Sequence, residues 1–504
     1  MSQHYDVIII GAGAGGGTLA YGLAPTGKRI LLIERGDYLP REKENWDADE
    51  IFIEGRYQAP EQWLDAKEEP FNPQSYYVVG GNTKLYGAAL QRMRQEDFGE
   101  LSHVDGVSPA WPVSYDEFES YYSRAESLFK IHGQRGEDPT EPPMSAEYPF
   151  PAMLHEPRIQ EVADQLAERG LNPLHLTLAV DRTSDPATSP CIRCDTCDPY
   201  PCLLDAKLDA QTACVDPALT YDNVTLRTNT QVTRLLTSED GRRVEGVEIK
   251  ANEGTDTLTA DIVVVACGAV NSAALLLRSA NAQHPNGLAN SSDQVGRNLM
   301  KHNHSGLVAI APKPNNTVFQ KTLAVHDYYF EGPLQDYPLG QIQLTGKAKW
   351  QRLALMAPTE IPQDHLEYLS DHSVDWWITT EDLPDPNNRV TLTEDGSIKV
   401  DFTPNNLRPH FELISVLEEH LKQLDFYLFW HKRMDVDVLW HQVGTCRFGT
   451  DPQTSVLDTN CCAHDVENLY VVDSSFMPSM GAMNPTLTIY ANALRVADHI
   501  KSMG

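Results

Sequence analysis

The chain has 504 residues, of which 41% are hydrophobic and 22% charged, and its 40 basic and 71 acidic residues give a formal charge of −31. That length exceeds one hydrophobic core, and the composition is that of a globular protein. So negative a surface repels phosphate backbones and argues against nucleic acid as a partner. The longest apolar run, DIVVVACGAV at 261–270, is too short to cross a bilayer. The first residues lack the basic, apolar and small-residue regions of a signal peptide, so a cytoplasmic protein is expected.

The amino terminus, YDVIIIGAGAGGGTLAYGLAPTGKRILLIERGD, starts with an apolar β-branched run. It turns through glycines, continues at helical period and returns to a second apolar run ending at Glu34. This order predicts a βαβ unit. Gly11 allows the tight turn, Gly13 lets backbone approach a pyrophosphate, and Gly16 lets the helix pack on the strand. The helix start offers free N–H groups and partial positive charge to phosphates. Glu34, eighteen residues past Gly16, is placed to accept bonds from ribose hydroxyls. The unit predicts dinucleotide binding without separating NAD from FAD.

CIRCDTCDPYPC follows at 191–202, with Cys191, Cys194, Cys197 and Cys202 in a C-x2-C-x2-C-x4-C pattern. In a large intracellular enzyme such spacing suits a metal or an iron–sulfur cluster, with structural zinc, disulfides and idle thiols as rival readings. Cys214, Cys267, Cys446, Cys461 and Cys462 are read as small apolar fillers. TADIVVVACGAVNSAALLLRSA predicts a buried strand at 262–266, a turn at Gly268 and a helix through Leu275–Leu277. A far-downstream strand thus joins the first sheet, and the nucleotide domain is discontinuous.

His302 and His304 in HNH alternate on an extended strand but have no further ligands nearby in sequence, so a structural turn is expected there and not a metal pair. Trp376 and Trp377 offer a sugar-stacking surface. DLPDPNNRVTLTEDGSIKVDF predicts a hairpin of a substrate domain's sheet, turning at Asp395-Gly396. Near the end, a short strand at 469–472 leads to Asp473, a loop, and a helix opening at Asn484 and Pro485. Its outward N–H groups would stabilise a flavin that becomes anionic on reduction.

GAGAGG with Glu34, VGGNTKLYGAALQRMRQEDF at 79–98, ACGAVNSAALLLRSA with VGRNLMKH, WHQVGTCRFG and VVDSSFMPSMGAMNPTLT occur in one order over nearly the whole chain. In this the sequence resembles the glucose-methanol-choline family of FAD oxidoreductases, and PAWPVSYDEFESYYSRAESLF is most similar to its pyranose-oxidising branch. The resemblance implies an α/β fold. Residues 1–95, 203–305 and 440–504 would form a Rossmann-like FAD domain, and 96–202 and 306–439 an α+β substrate domain on a large, mostly antiparallel sheet. It implies His441 as the base and Asn484 as the second active-site residue, although asparagine there also suits a helix cap. The cofactor set it implies is Gly11, Gly13, Ala14, Gly16, Glu34, Arg35, Gly80, Gly81, Asn82, Thr83, Val232, Ala266, Gly268, Asp473, Pro485 and Thr486. Leu85 stands where some relatives attach FAD through histidine, so noncovalent FAD is expected. Asn82, Thr83, Tyr86, Asn271 and Ala273 depart from the family pattern. The implied reaction is hydride removal from a CH–OH group of a sugar or glycoside, with a non-sugar alcohol as the alternative. A cysteine-held cluster would favour a dehydrogenase over an oxidase. Dioxygen, a quinone or a redox protein would take up the electrons.

Overall fold

In the first strand, His4–Ile10, the run Val7–Ile10 is apolar and buried on both faces, as suits a strand covered from both sides. It pairs in parallel with Ile30–Ile33 on one side and with the second half of Gly254–Val265 on the other. In the computed structural model, which describes residues 4–185, 187–251 and 254–504, these strands are the centre of a seven-stranded sheet. Val224–Arg227 extends it beyond Ile30–Ile33, and Leu469–Val471 lies parallel to Val263–Val265. The strand at 262–265 thus joins the first sheet as the sequence predicted, and Val224–Arg227 and Leu469–Val471 join it beyond that expectation.

The strand expected at 262–266 runs over Gly254–Val265. Its first half, GTDTLTA, is polar and pairs antiparallel with Val244–Ala251, which pairs antiparallel with Thr230–Thr237. Only the apolar half enters the buried parallel region. The helix after the glycine turn is Ala14–Leu23, and the final helix, Thr486–Ser502, packs against it. Ala497 is the neighbour that makes Gly22 small: a Cβ there would come within 2.7 Å of the alanine's own.

A second, six-stranded sheet is antiparallel throughout. Its order is Leu428–Arg433, Asn303–Ile310, Ser373–Thr380, Gln341–Leu344, Leu323–Val325 and Pro173–His175. The helices Pro157–Ala167 and Leu407–Lys422 cover one face, sharing a core with Leu307, Ile342, Trp376 and Ile378. Side-chain alternation sends Trp376 into this core and Trp377 to the opposite face, so the two tryptophans do not form one stacking surface.

The hairpin at 389–401 forms, but not in this sheet. Arg389–Leu392 and Ile398–Asp401 join Trp63–Leu64 and Pro70–Phe71 in a separate four-stranded sheet. The reason is packing: Val390, Ile398 and Val400 bury against the core of the nucleotide-binding sheet, where the Gly296 carbonyl accepts from Val390 N–H and the Gly296 N–H donates to the Thr445 carbonyl, each at 2.8 Å.

Candidate active site

Two cavities meet at His441. The first runs from the glycine turn past Glu34, Arg35 and Val232 to Ala266, Gly268, Asp473, Pro485 and Thr486. The second is walled by Leu85, Tyr86, Asp198, His304, Lys321, Gln343, Trp377 and Asn484. Tyr76, Asn82, Thr83, Trp440, His441 and Thr486 border both.

Backbone geometry builds the first cavity. Gly11 has φ +104°, and a Cβ there would lie 2.3 Å from the Ala266 carbonyl oxygen. Gly15, which sequence reasoning passed over, lies under the Val472 carbonyl, where a Cβ would come within 1.7 Å of the oxygen. Gly13 is different: the nearest atom to a Cβ there is Gly81 Cα at 4.0 Å, so its open side faces the cavity. Gly16 and Gly80 do not line it. Gly16 packs helix on turn, with the Gly11 carbonyl 1.9 Å from a Cβ position, and the Gly80 N–H donates to the Ala12 carbonyl at 2.9 Å.

Glu34 is buried, and its carboxylate accepts from the N–H groups of Ala12 and Gly36, each at 3.0 Å. Burial pushes its pKa upward despite those bonds. Arg35 stacks on Tyr77, 3.8 Å above the ring, and pairs with Glu61 at 3.1 Å. Asp473 ties its own turn to the start of the helix Ala269–Arg278, accepting from Gly268 N–H at 3.0 Å, the Ser272 hydroxyl, and Ser475 N–H at 2.9 Å. A glycine-walled groove with a helix start and a buried acid fits the pyrophosphate and ribose of FAD.

His441 is positioned by its neighbours in WHQVGT. Gln442 accepts from Val270 N–H at 2.8 Å and donates to the Leu439 carbonyl at 3.1 Å. The Thr445 hydroxyl donates to the Ala269 carbonyl at 2.7 Å. The segment is thereby clamped to the start of the helix Ala269–Arg278. Burial, then Lys321 and Lys301, push the His441 pKa down to about 3, so the imidazole stays neutral and able to accept a proton.

Asn484 is not the cap of the last helix. Pro485 holds that position, without a side-chain cap bond, and Asn484 Oδ1 instead accepts from Gln341 Nε2 at 3.2 Å and Gln343 Nε2 at 3.1 Å.

His302 and His304, read from sequence as a structural turn, stand beside His441. One nitrogen of each of the three rings lies within 4.8 Å of the others. The Nδ1 atoms of His302 and His441 are 3.1 Å apart, and His304 lines the second cavity. The available signal was the H-x-H spacing, but His302 precedes the strand Asn303–Ile310 with φ +64°, so that turn and not strand alternation brings the two rings to 5.3 Å between centroids. What they face was not written in that segment.

The metal or iron–sulfur reading of Cys191, Cys194, Cys197 and Cys202 is not supported. All nine cysteines are free, and among the described residues the three histidines are the only convergence of three or more metal-competent side chains. Burial pushes the Cys191 and Cys197 thiols up, keeping them protonated, and both pack with Cys202 around Leu176 and Leu178. Lys207 holds the loop instead, donating to the carbonyls of Tyr86, Cys197 and Tyr200 at 2.8, 3.0 and 2.6 Å.

Fold and cavities together define a dinucleotide-binding oxidoreductase with a histidine between cofactor groove and substrate chamber. Family models described as GMC oxidoreductase match residues 5–304 and 409–493. The chain is 30% identical to paromamine 6'-oxidase of Streptomyces fradiae, covering 98% of this chain and 90% of that one. It is 31% identical to 6'''-hydroxyparomomycin C oxidase of Streptomyces lividus, covering 99% and 91%. Pyridoxine 4-oxidase from Mesorbium loti shares the fold at TM-score 0.71 and 18% identity, with 99% of each chain covered. The chain belongs to the GMC oxidoreductase family, and is an FAD-dependent enzyme acting on CH–OH donors. Among the described residues no helix is long and apolar enough to cross a membrane.

Proposed function

We infer that this enzyme oxidises a CH–OH group of a sugar or glycoside, with His441 as the base and Asn484 orienting the reacting hydroxyl. The observation that carries the reading is the position of His441 on the boundary of both cavities, with Asn484 in the wall of the second. A hydroxyl proton can leave to an imidazole only if that imidazole is neutral, and burial beside Lys321 and Lys301 keeps it so. Asn484 has its Oδ1 occupied by two glutamine N–H groups, which turns its NH₂ towards the chamber as a donor for the substrate oxygen. Trp377 and Trp440, with ring centroids 6.0 Å apart, give the chamber an aromatic wall suited to the apolar face of a sugar ring.

Bound FAD supplies the acceptor for the hydride. Leu85 in the chamber wall offers no nucleophile, which supports noncovalent attachment. The two relatives at about 30% identity are named as oxidases of paromamine and of 6'''-hydroxyparomomycin C. These names support a glycoside substrate and favour dioxygen, reduced to hydrogen peroxide, as the oxidant over a quinone or redox protein. The test is a panel of sugars, glycosides and simple alcohols mixed anaerobically with the yellow holoenzyme, followed by readmission of air. Bleaching by sugars or glycosides, then peroxide equimolar with oxidised product, is the expected result. Bleaching only by non-sugar alcohols would replace the substrate class.

A further inference from the structure

The three imidazoles at the junction form a directed hydrogen-bond array. The Gly481 carbonyl can only accept, so His302, whose Nε2 lies 2.9 Å from it, donates there and carries its proton on Nε2. Buried and neutral, His302 then has a bare Nδ1, and the His441 Nδ1 3.1 Å away must be the donor across that contact. His441 is left with an unprotonated Nε2. A parallel chain of reasoning applies to His304. Trp377 Nε1–H can only donate, and it points at His304 Nδ1 at 3.1 Å, so the His304 proton sits on Nε2. That Nε2 is buried and has no partner among the described residues. A buried donor without an acceptor is the mark of a group waiting for one.

The backbone supports the same arrangement. His302 has φ +64°, a left-handed conformation rare for a residue with a Cβ, and is fully buried. Asp382 holds it there, its two carboxylate oxygens accepting from the N–H groups of Lys301 and His302 at 3.0 Å each. The accepting Gly481 is fixed in turn: Glu381 accepts from the N–H groups of Met480 at 3.2 Å and Gly481 at 2.9 Å.

We propose that His302 and His304 belong to the reaction centre: His302 is the positioning residue that fixes His441 with Nε2 bare, and His304 is a catalytic residue that donates its Nε2–H to the substrate oxygen. The inference rests on His441 being the base. In the step, the hydroxyl proton passes to His441 Nε2 as the carbon's hydride leaves for the cofactor. The imidazolium so formed keeps its Nδ1–H on His302, while the N–H groups of His304 and Asn484 hold the oxygen as it becomes a carbonyl.

The experiment compares flavin reduction under anaerobic conditions in holoenzymes carrying His302→Leu, His302→Gln, His304→Leu, His304→Gln and His441→Ala, with FAD content measured for each. Glutamine retains an acceptor for His441 and donor N–H groups for Gly481, and at 304 restores a donor. We expect His302→Leu to slow reduction at least about tenfold and His304→Leu about 100-fold, with each glutamine variant recovering part of the loss. Leucine variants at the wild-type rate beside an inactive His441→Ala would overturn this inference alone. A His441→Ala variant at the wild-type rate would overturn the underlying reading. Where a leucine variant does not fold, the wild type decides through ¹⁵N NMR of histidine-labelled holoenzyme, with His441→Gln for assignment. Protonated Nδ1 and bare Nε2 at His441 support the array, and the opposite tautomer or a stoichiometric metal bound by the trio overturns it.

Discussion

Gln343 Nε2 lies 3.1 Å from Asn484 Oδ1, and Gln341 Nε2 approaches the same oxygen at 3.2 Å. Strand alternation explains the pair, since residues 341 and 343 project from the same face of Gln341–Leu344. With its oxygen occupied, Asn484 has its NH₂ left for the donor role proposed for it. Asn484→Asp keeps both glutamine bonds but removes that donor and adds a negative charge beside a developing oxyanion. The expected result is flavin reduction slower by about 100-fold with FAD retained. A rate within about twofold of wild type would show that the amide does not touch the reacting oxygen.

Gly13 and Gly15 are two residues apart and differ physically. A methyl group on Gly15 collides with the Val472 carbonyl, whereas one on Gly13 meets nothing within 4 Å except Gly81 Cα at that limit. Gly15→Ala should therefore lower the melting temperature of the apoprotein, and Gly13→Ala should leave it near wild type. Both should lower the FAD-to-protein absorbance ratio. Equal apoprotein stabilities would contradict the packing at Val472.

The neutrality of His441 sets a pH dependence. Its pKa is depressed, so the imidazole accepts a proton across the neutral range and is blocked only well below the ordinary value of 6.5. The acid limb of the reduction rate should fall below pH 6.5. Lys321→Met removes one of the two cations and leaves Asp198, 2.8 Å from the lysine in the native protein, without its partner. Both changes favour the imidazolium, so the limb should move up. A downward or absent shift contradicts the electrostatic account.

Burial, then the Glu381 carboxylate, push Asp97 up to about 7. The folded protein therefore binds more protons at Asp97 than the unfolded chain between its ordinary value of 3.8 and about 7. The associated stability is present below that window and lost as pH rises through it. Asp97→Asn cannot ionise and keeps an acceptor for the Arg94 N–H and the Tyr329 hydroxyl. Its melting temperature relative to wild type should rise by about 1 to 2 °C between pH 5 and 8. A constant difference would show that Asp97 does not titrate there.

How much of this was legible in the sequence follows the range of the interactions involved. The βαβ unit is local, and Gly11, Gly13 and Glu34 line the cavity as their spacing indicated, joined by Ala14 and Arg35 from the set the resemblance implied. The return of the 262–266 strand to the same sheet was legible because fully buried parallel strands are apolar throughout, whereas the pairing of Leu469–Val471 beside it was not read from its short run. The placement of the 389–401 hairpin was not, since its apolar alternation fits either sheet and contacts far along the chain decide. His302 and His304 needed Gly481, Trp377 and His441 to acquire meaning, and those lie 179, 73 and 139 residues away in the respective contacts. Cysteine spacing pointed to a cluster because thiols near in sequence can converge, but in the folded loop Cys191, Cys197 and Cys202 fill apolar space around a lysine-held turn.

The most direct measurement is the rate of anaerobic flavin reduction by a saturating sugar or glycoside donor in His441→Ala holoenzyme, with FAD stoichiometry determined on the same sample. The account predicts a fall of roughly two to four orders of magnitude with full FAD occupancy. Reduction at the wild-type rate with FAD bound would contradict it.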